Sequence, residues 1–435
     1  MDYGAAKFKD KCEKLGAKFV GIDIGETEES SVQKTAGSVP FIFLAQKSKS
    51  PLYESLSAFK PDVVVADFTT LAAQEYANEL GVPLVVNFPG PFDMVNAMLR
   101  VADLNSSMTI GGIFLSRVKF SLPSVAMMAN LGSLGELSKR VRVNFSQALV
   151  LVNSFWGFEE PGLLPPHIVP TGPITPPLPK PEFSKTHPEL EDFLIRAQRE
   201  GKKVLLVTTG SMVQLERWSV EVLCEGFSRL QGCRVVWSLK EEQQQFVDLK
   251  DPDFHFSSWL PQPMLLASDL IHGVLTHCGW GGTLECISGA KPVAVLPFFG
   301  DQMNNARLLV QAGAATTVSK FPAFNVDATG RSAYTPKSLT AEGIAAGCQE
   351  LLTNPSYLQT AKRLQVLASG PGMGCASACE RIEHAGRHGI SHLCNVERHL
   401  RNTGARPFSI NCCAMVACGA VVVGLLVGLF RLIGL

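Results

Sequence analysis

The chain has 435 residues, of which 46% are hydrophobic, enough for two domains with large cores and too many for a disordered protein. Lysine plus arginine equals aspartate plus glutamate at 39 each, so no basic surplus indicates a nucleic-acid partner. The 12 cysteines are scattered through apolar stretches without the spacing of a small disulfide framework, which favours reduced thiols and a cytosolic globular part.

The first part of the chain alternates between short β-rich runs and helical stretches. The β-rich runs are AKFVGI, DVVVAD, PLVVNF and ALVLVN, and the segments between them include TTLAAQEYANELG, which has helical periodicity. This βαβ alternation predicts a parallel sheet with helices on both faces. We therefore predict a first Rossmann-like domain over residues 1–165.

A proline-rich segment follows this domain. The run EEPGLLPPHIVPTGPITPPLPKPEF contains too many prolines for a packed element, so we predict a linker over residues 166–200. The strand pattern then restarts with KKVLLVTTGS, CRVVWSL, IHGVLTH and KPVAVLPF, which predicts a second Rossmann-like domain over residues 201–390. The predicted fold class is α/β, with the two domains facing across a cleft and ligands at the carboxyl ends of the strands.

The last part of the chain indicates a membrane anchor. Residues 412–430 form an uncharged run of 19 residues, close to the roughly 20 that cross a bilayer, and a basic segment over residues 391–411 precedes them. A buried core helix is the alternative interpretation. Because no signal-like segment stands at the start, we predict a single-pass C-terminal anchor in the endoplasmic reticulum membrane. Gly424 and Gly428 form a GxxxG pattern, which is typical of helix pairing and so of self-association.

The stretch HCGWGGTLE, residues 277–285, predicts a nucleotide site. It follows an apolar strand, and its glycines suit a tight turn that opens a helix, where free N–H groups and the helix dipole favour a phosphate. His277 adds one more donor to that anion. Glu285, about two turns along the helix, offers carboxylate oxygens to a pair of ribose hydroxyls. A phosphate and a diol together indicate a nucleotide.

Residues 259–302 resemble the signature of plant secondary product UDP-glycosyltransferases. Their 44 residues begin with Trp259, continue through PQ, HCGW and TLE, and end with DQ, at the family's intervals of 18 residues from Trp259 to His277 and 24 from His277 to Asp301. A looser resemblance extends over most of residues 5–390. It implies a GT-B type fold and an inverting transferase that moves a hexose from a UDP-sugar to a hydroxyl group, with glucose favoured by the closing glutamine.

The resemblance places the UDP-sugar site in the second domain. It implies that Trp259 stacks on uracil, that His277 binds the phosphates, and that Asp301 and Gln302 bind the sugar hydroxyls. The complete set of implied UDP-sugar-binding residues is Ser211, Trp259, Gln262, His277, Gly279, Trp280, Gly282, Glu285, Asp301 and Gln302. Taken singly, Asp301 also fits a helix N-cap, and Ser211 also fits a turn.

The sequence departs from the family pattern at two points. Gly281 and Gly282 stand where the signature has Asn-Ser, so we expect weaker or altered binding of the phosphates. In the family the general base is a histidine near the chain start, and an aspartate orients it. Asp67 matches this aspartate and is the implied catalytic residue. Residues 1–165, however, contain no histidine and no opening strand. Two explanations are open. Either the true start of the protein lies further upstream, or the protein is a membrane-anchored UDP-sugar-binding protein or scaffold without the catalytic base.

Other segments bear on partners and metals. Apolar first-domain loops, NFPGPFDMVNAMLR and SLPSVAMMANLG, predict a small lipophilic acceptor. The UDP-sugar is a co-substrate, and we expect neither a cofactor nor a metal ion. The cysteines and histidines of residues 375–394 match no standard zinc spacing, so an ordinary helix with exposed histidines is favoured. No GxGxxG follows a predicted strand, which disfavours a nicotinamide-binding enzyme.

Overall fold

The computed structural model describes residues 9, 12–14, 16–17, 39–99, 144–162, 164–322, 331 and 333–394. Its contacts divide the chain into two compact units. Unit 1 comprises the described residues within Met1–Val152, Gly162–Val169 and Cys379–Leu435, and unit 2 comprises those within Asn153–Pro161 and Pro170–Ala378. Each unit carries a sheet with parallel strand pairs and helices, so the prediction of a two-unit α/β chain is confirmed.

The sheet of unit 1 has the strand order β1-β2-β3-β4. Its strands are β1 (Val64–Asp67), β2 (Leu84–Phe88), β3 (Leu149–Val152) and β4 (Ile168–Pro170), and its helices before β3 include α1 (Val39–Phe59), α2 (Leu71–Leu80) and α3 (Phe92–Leu99). Val86 and Val150 are fully buried, as expected for parallel strands that are covered on both faces. Residues 18–22 of the predicted run AKFVGI lie outside the described part of the chain.

The sheet of unit 2 has the strand order β10-β9-β8-β5-β6-β7, with every pair parallel. Its strands are β5 (Lys203–Thr208), β6 (Cys233–Ser238), β7 (Phe254–Ser257), β8 (Gly273–Thr276), β9 (Val293–Val295) and β10 (Ala315–Thr317). Successive side chains enter opposite cores: Leu206 and Val274 belong to one buried cluster, and Leu205 and Leu275 to the other. The sheet is therefore buried on both faces.

Helices cover both faces of this sheet, and three more helices follow its last strand within the described residues. They are α4 (Pro188–Arg199), α5 (Arg217–Ser228), α6 (Glu241–Gln244), α7 (Gln262–Ala267), α8 (Trp280–Ser288), α9 (Gln302–Gln311), α10 (Ala341–Thr353), α11 (Pro355–Ala368) and α12 (Gly374–His388). Sequence signals set two of the starts: Thr340 caps α10 by accepting from Gly343 N, and Asn354 caps α11 by accepting from Ser356 N.

The unit boundaries differ from the predicted ones. The predicted linker, residues 166–200, contains β4 and the whole of α4, which buries Phe193 and Leu194 against the sheet. Proline richness did not exclude this helix, because Pro188 stands at its first turn, where a missing N–H costs little. Residues 170–200 thus belong to unit 2, whose last residue is Ala378 rather than residue 390.

The predicted anchor over residues 412–430, with Gly424 and Gly428, lies outside the described residues, as does the basic segment from residue 395 onward. Within the part of the chain that is described, no helix combines the length and the apolar character needed to cross a bilayer. The anchor therefore stays a prediction.

Candidate functional site

Turns that follow the strands of unit 2 bring predicted UDP-sugar-binding residues together. β5 and β8 are neighbours, with Thr208 opposite Thr276. Ser211 lies three residues after the end of β5 and is exposed. His277 comes directly after β8, and its backbone N–H donates to Thr208 O at 3.3 Å. Because both strands run in the same direction, these two turns lie at the same edge of the sheet, where α/β sheets bind ligands.

The imidazole of His277 lies in a slot between two glycines. A Cβ added at Gly210 would stand 2.5 Å from His277 Nε2, and one added at Gly279 would stand 2.6 Å from the same atom. Gly210 also has φ +71°, a conformation that side chains other than glycine rarely adopt. A side chain at either position would displace the imidazole. Sequence reasoning missed Gly210, because its role depends on His277, which is 67 positions away in the chain.

Burial sets the protonation state of His277. It lowers the pKa of the imidazole to about 4, so the ring is neutral at pH 7. Nδ1 lies 3.4 Å from Thr276 Oγ1. When this hydroxyl donates to Nδ1, the ring proton is on Nε2, the ring nitrogen that faces the two glycines. A neutral imidazole in this tautomer is a hydrogen-bond donor suited to a phosphate oxygen.

Helix α8 begins immediately after this slot. Cys278 has φ 64°, and the N-cap residue is Gly279, which has no side chain to bond to the first-turn N–H groups. A Cβ at Gly281 would meet no heavy atom within 4 Å, and one at Gly282 would meet only Thr276 Oγ1 at 4.0 Å. The first turn of α8 therefore offers backbone donors and the positive end of a helix dipole, as an anion site requires.

The ring of Trp280 serves packing. It is 5% exposed, and its Nε1 donates to Asn153 O at 3.2 Å. It also packs on Phe158, with ring centroids 6.0 Å apart. Only the backbone of Trp280 is therefore available to an anion at this helix terminus.

Gln262 and Glu285 form a hydrogen-bonded pair, although 23 positions separate them in the chain. Helix α7 begins at Gln262, whose Nε2 donates to Glu285 Oε2 at 2.6 Å. This bond orients a carboxylate whose oxygens only accept hydrogen bonds, as a pair of ribose hydroxyls requires. The structure thus brings together two residues of the predicted UDP-sugar-binding set.

Trp259 follows β7 and is 66% exposed, which leaves an aromatic face free to stack on a base. His187, the residue before α4, stacks on it with ring centroids 5.6 Å apart and ring planes at 27°. Sequence reasoning missed this contact, because nothing near His187 in the chain indicates a partner 72 positions away.

The loop after β9 carries Asp301 and Gln302. Asp301 stands at the N-cap position of α9, but its carboxylate caps no N–H; instead, Oδ2 accepts from Asn305 Nδ2 at 2.8 Å. Gln302 is 3% exposed, and its Oε1 accepts from the backbone N–H groups of Phe298 at 2.9 Å and Phe299 at 3.2 Å. The carbonyl oxygen of Gln302 therefore holds the loop, while Asp301 is exposed.

The predicted catalytic residue Asp67 ends β1 and belongs to unit 1. Its Oδ1 accepts from Thr69 N at 3.0 Å and from Thr69 Oγ1 at 2.6 Å. Among the residues that the structure describes, no group of three or more histidines, cysteines or carboxylates is arranged to hold a metal ion. These residues include the described histidines of the run over 375–394.

Comparison with known proteins agrees with this arrangement. The family model described as "UDP-glucoronosyl and UDP-glucosyl transferase" matches residues 139–400, more than half of the chain. A UDP-glycosyltransferase of Talaromyces amestolkiae is 27% identical over 373 residues, which are 75% of this chain and 65% of that protein. Human UDP-glucuronosyltransferase 2A2 is 24% identical over 76% of this chain and 62% of its own length. The chain thus spans less than two thirds of either relative.

Solved structures share the fold. A UDP-glucosyltransferase from Polygonum tinctorium aligns with a TM-score of 0.63 at 18% identity, over 88% of this chain and 89% of that one. A Medicago truncatula protein complexed with UDP-glucose aligns with a TM-score of 0.63 at 17% identity, over 87% and 88%. The two-unit α/β fold described above is therefore the fold of these proteins.

Replacing Gly279 by alanine tests the slot. The added methyl group cannot coexist with the present ring position, so Gly279→Ala should displace the imidazole and weaken UDP binding by about tenfold, the effect of losing one hydrogen bond to a charged group. Calorimetric titration with UDP measures this. Gly282→Ala, where the nearest atom is 4.0 Å away, is the matched control and should bind UDP within about twofold of the wild type. Equal affinities for both variants would contradict the slot.

The lowered pKa of His277 predicts how stability depends on pH. The unfolded imidazole takes up a proton near pH 6.5, whereas the folded one does so only near pH 4, so stability falls as the pH decreases through this window. At pH 5 the contribution of His277 to the free energy of unfolding is about 2 kcal/mol lower than at pH 8. Urea unfolding at both pH values measures the loss, and His277→Gln should lack this part of it. An equal loss in the variant would show that other groups cause it.

Proposed function

The chain belongs to the UDP-glycosyltransferase family, and from this premise we propose that it transfers a hexose, glucose by preference, from a UDP-sugar to a hydroxyl group of a small lipophilic acceptor, with inversion. The observation that carries this proposal is that a neutral imidazole lies beside an uncapped helix terminus at one sheet edge of unit 2, and that the same helix carries an oriented carboxylate.

Each chemical group of the UDP-sugar has a proposed partner among these residues. The pyrophosphate lies at the first turn of α8 and accepts from His277 Nε2. The ribose hydroxyls donate to Glu285, which Gln262 orients, and uracil stacks on the exposed indole of Trp259. The exposed carboxylate of Asp301 accepts from the sugar hydroxyls. The Medicago truncatula structure, a complex with UDP-glucose, supports this choice of donor.

The acceptor is proposed as a small lipophilic molecule. The apolar loops of the first domain support this class, and so do the ligands of two neighbours: a trichothecene in the structure of Os79 from O. sativa, and pterostilbene in that of a Phytolacca americana protein. In the reaction the acceptor hydroxyl loses its proton to a base as its oxygen attacks the anomeric carbon, whose bond to the UDP oxygen breaks. His277 and the α8 N–H groups stabilise the negative charge that develops on UDP.

Binding of UDP-sugar without transfer is the second candidate. The acceptor hydroxyl must lose its proton to a base, and residues 1–165 contain no histidine to pair with Asp67. Oδ1 of Asp67 is already engaged by Thr69. This observation concerns the transfer step alone, since every group proposed to hold the donor is present in unit 2.

Two measurements on the full chain distinguish these functions. Calorimetry with UDP-glucose should show binding by the wild type and a loss of roughly tenfold in Trp259→Ala, because stacking of a base on an aromatic ring contributes about 1–3 kcal/mol. Trp259→Phe keeps an aromatic face and is the matched control.

Release of UDP in the presence of lipophilic alcohols then tests transfer. Stoichiometric glucoside formation supports the transferase, and binding with no product supports the second candidate. If the wild type binds neither UDP nor UDP-glucose, both functions are overturned.

We propose in addition that residues 412–430 anchor the chain in the endoplasmic reticulum membrane. Each aspartate at the centre of such a span costs about 2.5–3.5 kcal/mol, so Val422→Asp combined with Leu426→Asp should move the chain from the carbonate-resistant membrane pellet to the supernatant. The matched change Val422→Leu with Leu426→Val should leave it in the pellet. A wild-type chain that is extracted by carbonate would contradict the anchor.

A further inference from the structure

Asn305 connects two parts of the proposed donor site from within the core of unit 2. It lies on α9 and is fully buried, with 0% of its surface exposed. Its Nδ2 donates to Cys278 O at 2.9 Å and to Asp301 Oδ2 at 2.8 Å. Cys278 belongs to the turn that carries His277, and Asp301 belongs to the loop after β9. One amide group therefore joins the ends of the neighbouring strands β8 and β9.

Chemistry fixes the orientation of this amide. A backbone carbonyl oxygen and an ionised carboxylate oxygen both only accept hydrogen bonds, so the NH₂ group of Asn305 must face them. Both of its N–H donors are then engaged. Its Oδ1 is buried and has no partner among the described residues, so the nitrogen alone holds the side chain.

This contact determines where the carboxylate of Asp301 lies. An aspartate at an N-cap position ordinarily bonds to the N–H groups of the helix's own first turn. Asp301 stands at that position on α9 but makes no such bond. Its partner is Asn305, four residues along the helix. Without this donor the carboxylate is free to rotate onto the α9 N–H groups, away from its present position.

We propose that Asn305 is a positioning residue that holds the sugar-binding Asp301 at a fixed place relative to the phosphate-binding turn, and so determines how strongly the site prefers UDP-sugar over UDP. This inference rests on the proposed function, in which Asp301 contacts the sugar. UDP alone is held by the α8 terminus, His277, Glu285 and Trp259. The effect of Asn305 is therefore larger on UDP-glucose than on UDP.

Asn305→Asp tests the proposal with a side chain of the same shape. Its carboxylate donates no hydrogen bond and repels Asp301, so the ratio of UDP-glucose affinity to UDP affinity should fall by about tenfold, the effect of losing a hydrogen bond to a charged group. Calorimetry with both ligands measures the ratio. Asn304→Asp, a half-buried neighbour on the same helix, introduces the same charge and should leave the ratio unchanged.

A double-mutant cycle separates positioning from a general loss of structure. In an Asp301→Ala background the sugar contact is already gone, so Asn305→Asp should cause no further fall in the ratio. Asn305→Ser, which keeps one donor, should give an intermediate ratio and serves if the aspartate variant fails to fold.

The outcomes are distinct. An unchanged ratio in Asn305→Asp and Asn305→Ser, or an equal fall in the Asp301→Ala background, would overturn the role of Asn305. A wild-type chain that binds neither ligand would instead overturn the proposed function.

Discussion

The fit of one imidazole between two glycines is the constraint on which the rest of the proposed UDP-sugar site depends. The slot exists because β5 and β8 pair in parallel with Thr208 opposite Thr276, so the turns that follow them meet. Gly210 comes from the first turn and Gly279 from the second. A slip of one residue in this pairing would point each side chain to the other face of the sheet. The slot around His277 therefore requires the same strand register as the buried sheet.

The buried sheet holds that register. Alternate residues of β5 and β8 enter two separate cores, and Trp237 on the neighbouring β6 is fully buried in one of them. Interiors packed in this way resist displacement, because moving one strand opens cavities on both faces. The same burial desolvates His277 and keeps it neutral. Packing thus determines both the position and the protonation state of the His277 imidazole.

The sequence was sufficient for the features that local pattern encodes. Strand periodicity located seven of the described strands but missed the short strands β4, β7 and β10. Signature spacing identified residues that the structure places in unit 2. Helix α4 was missed because prolines nearby in the chain outweighed the apolar spacing of Leu190, Phe193 and Leu194. Gly210 and Asn305 were missed for another reason: their roles come from contacts with residues 67 and 27 positions away, which no local pattern shows.

The two glycines at the start of α8 show how the site uses packing in place of side-chain chemistry. Each glycine lowers helix stability by about 1 kcal/mol relative to alanine, so local propensity does not favour this turn. Leu284 and Ile287 are buried in the sheet core and hold the helix from its other face. Since space at Gly281 is open, its lack of a side chain is not a result of crowding. Without a side-chain amide or hydroxyl there, the proposed recognition of a pyrophosphate at this terminus rests on backbone N–H groups and His277, whose positions are fixed by the fold itself.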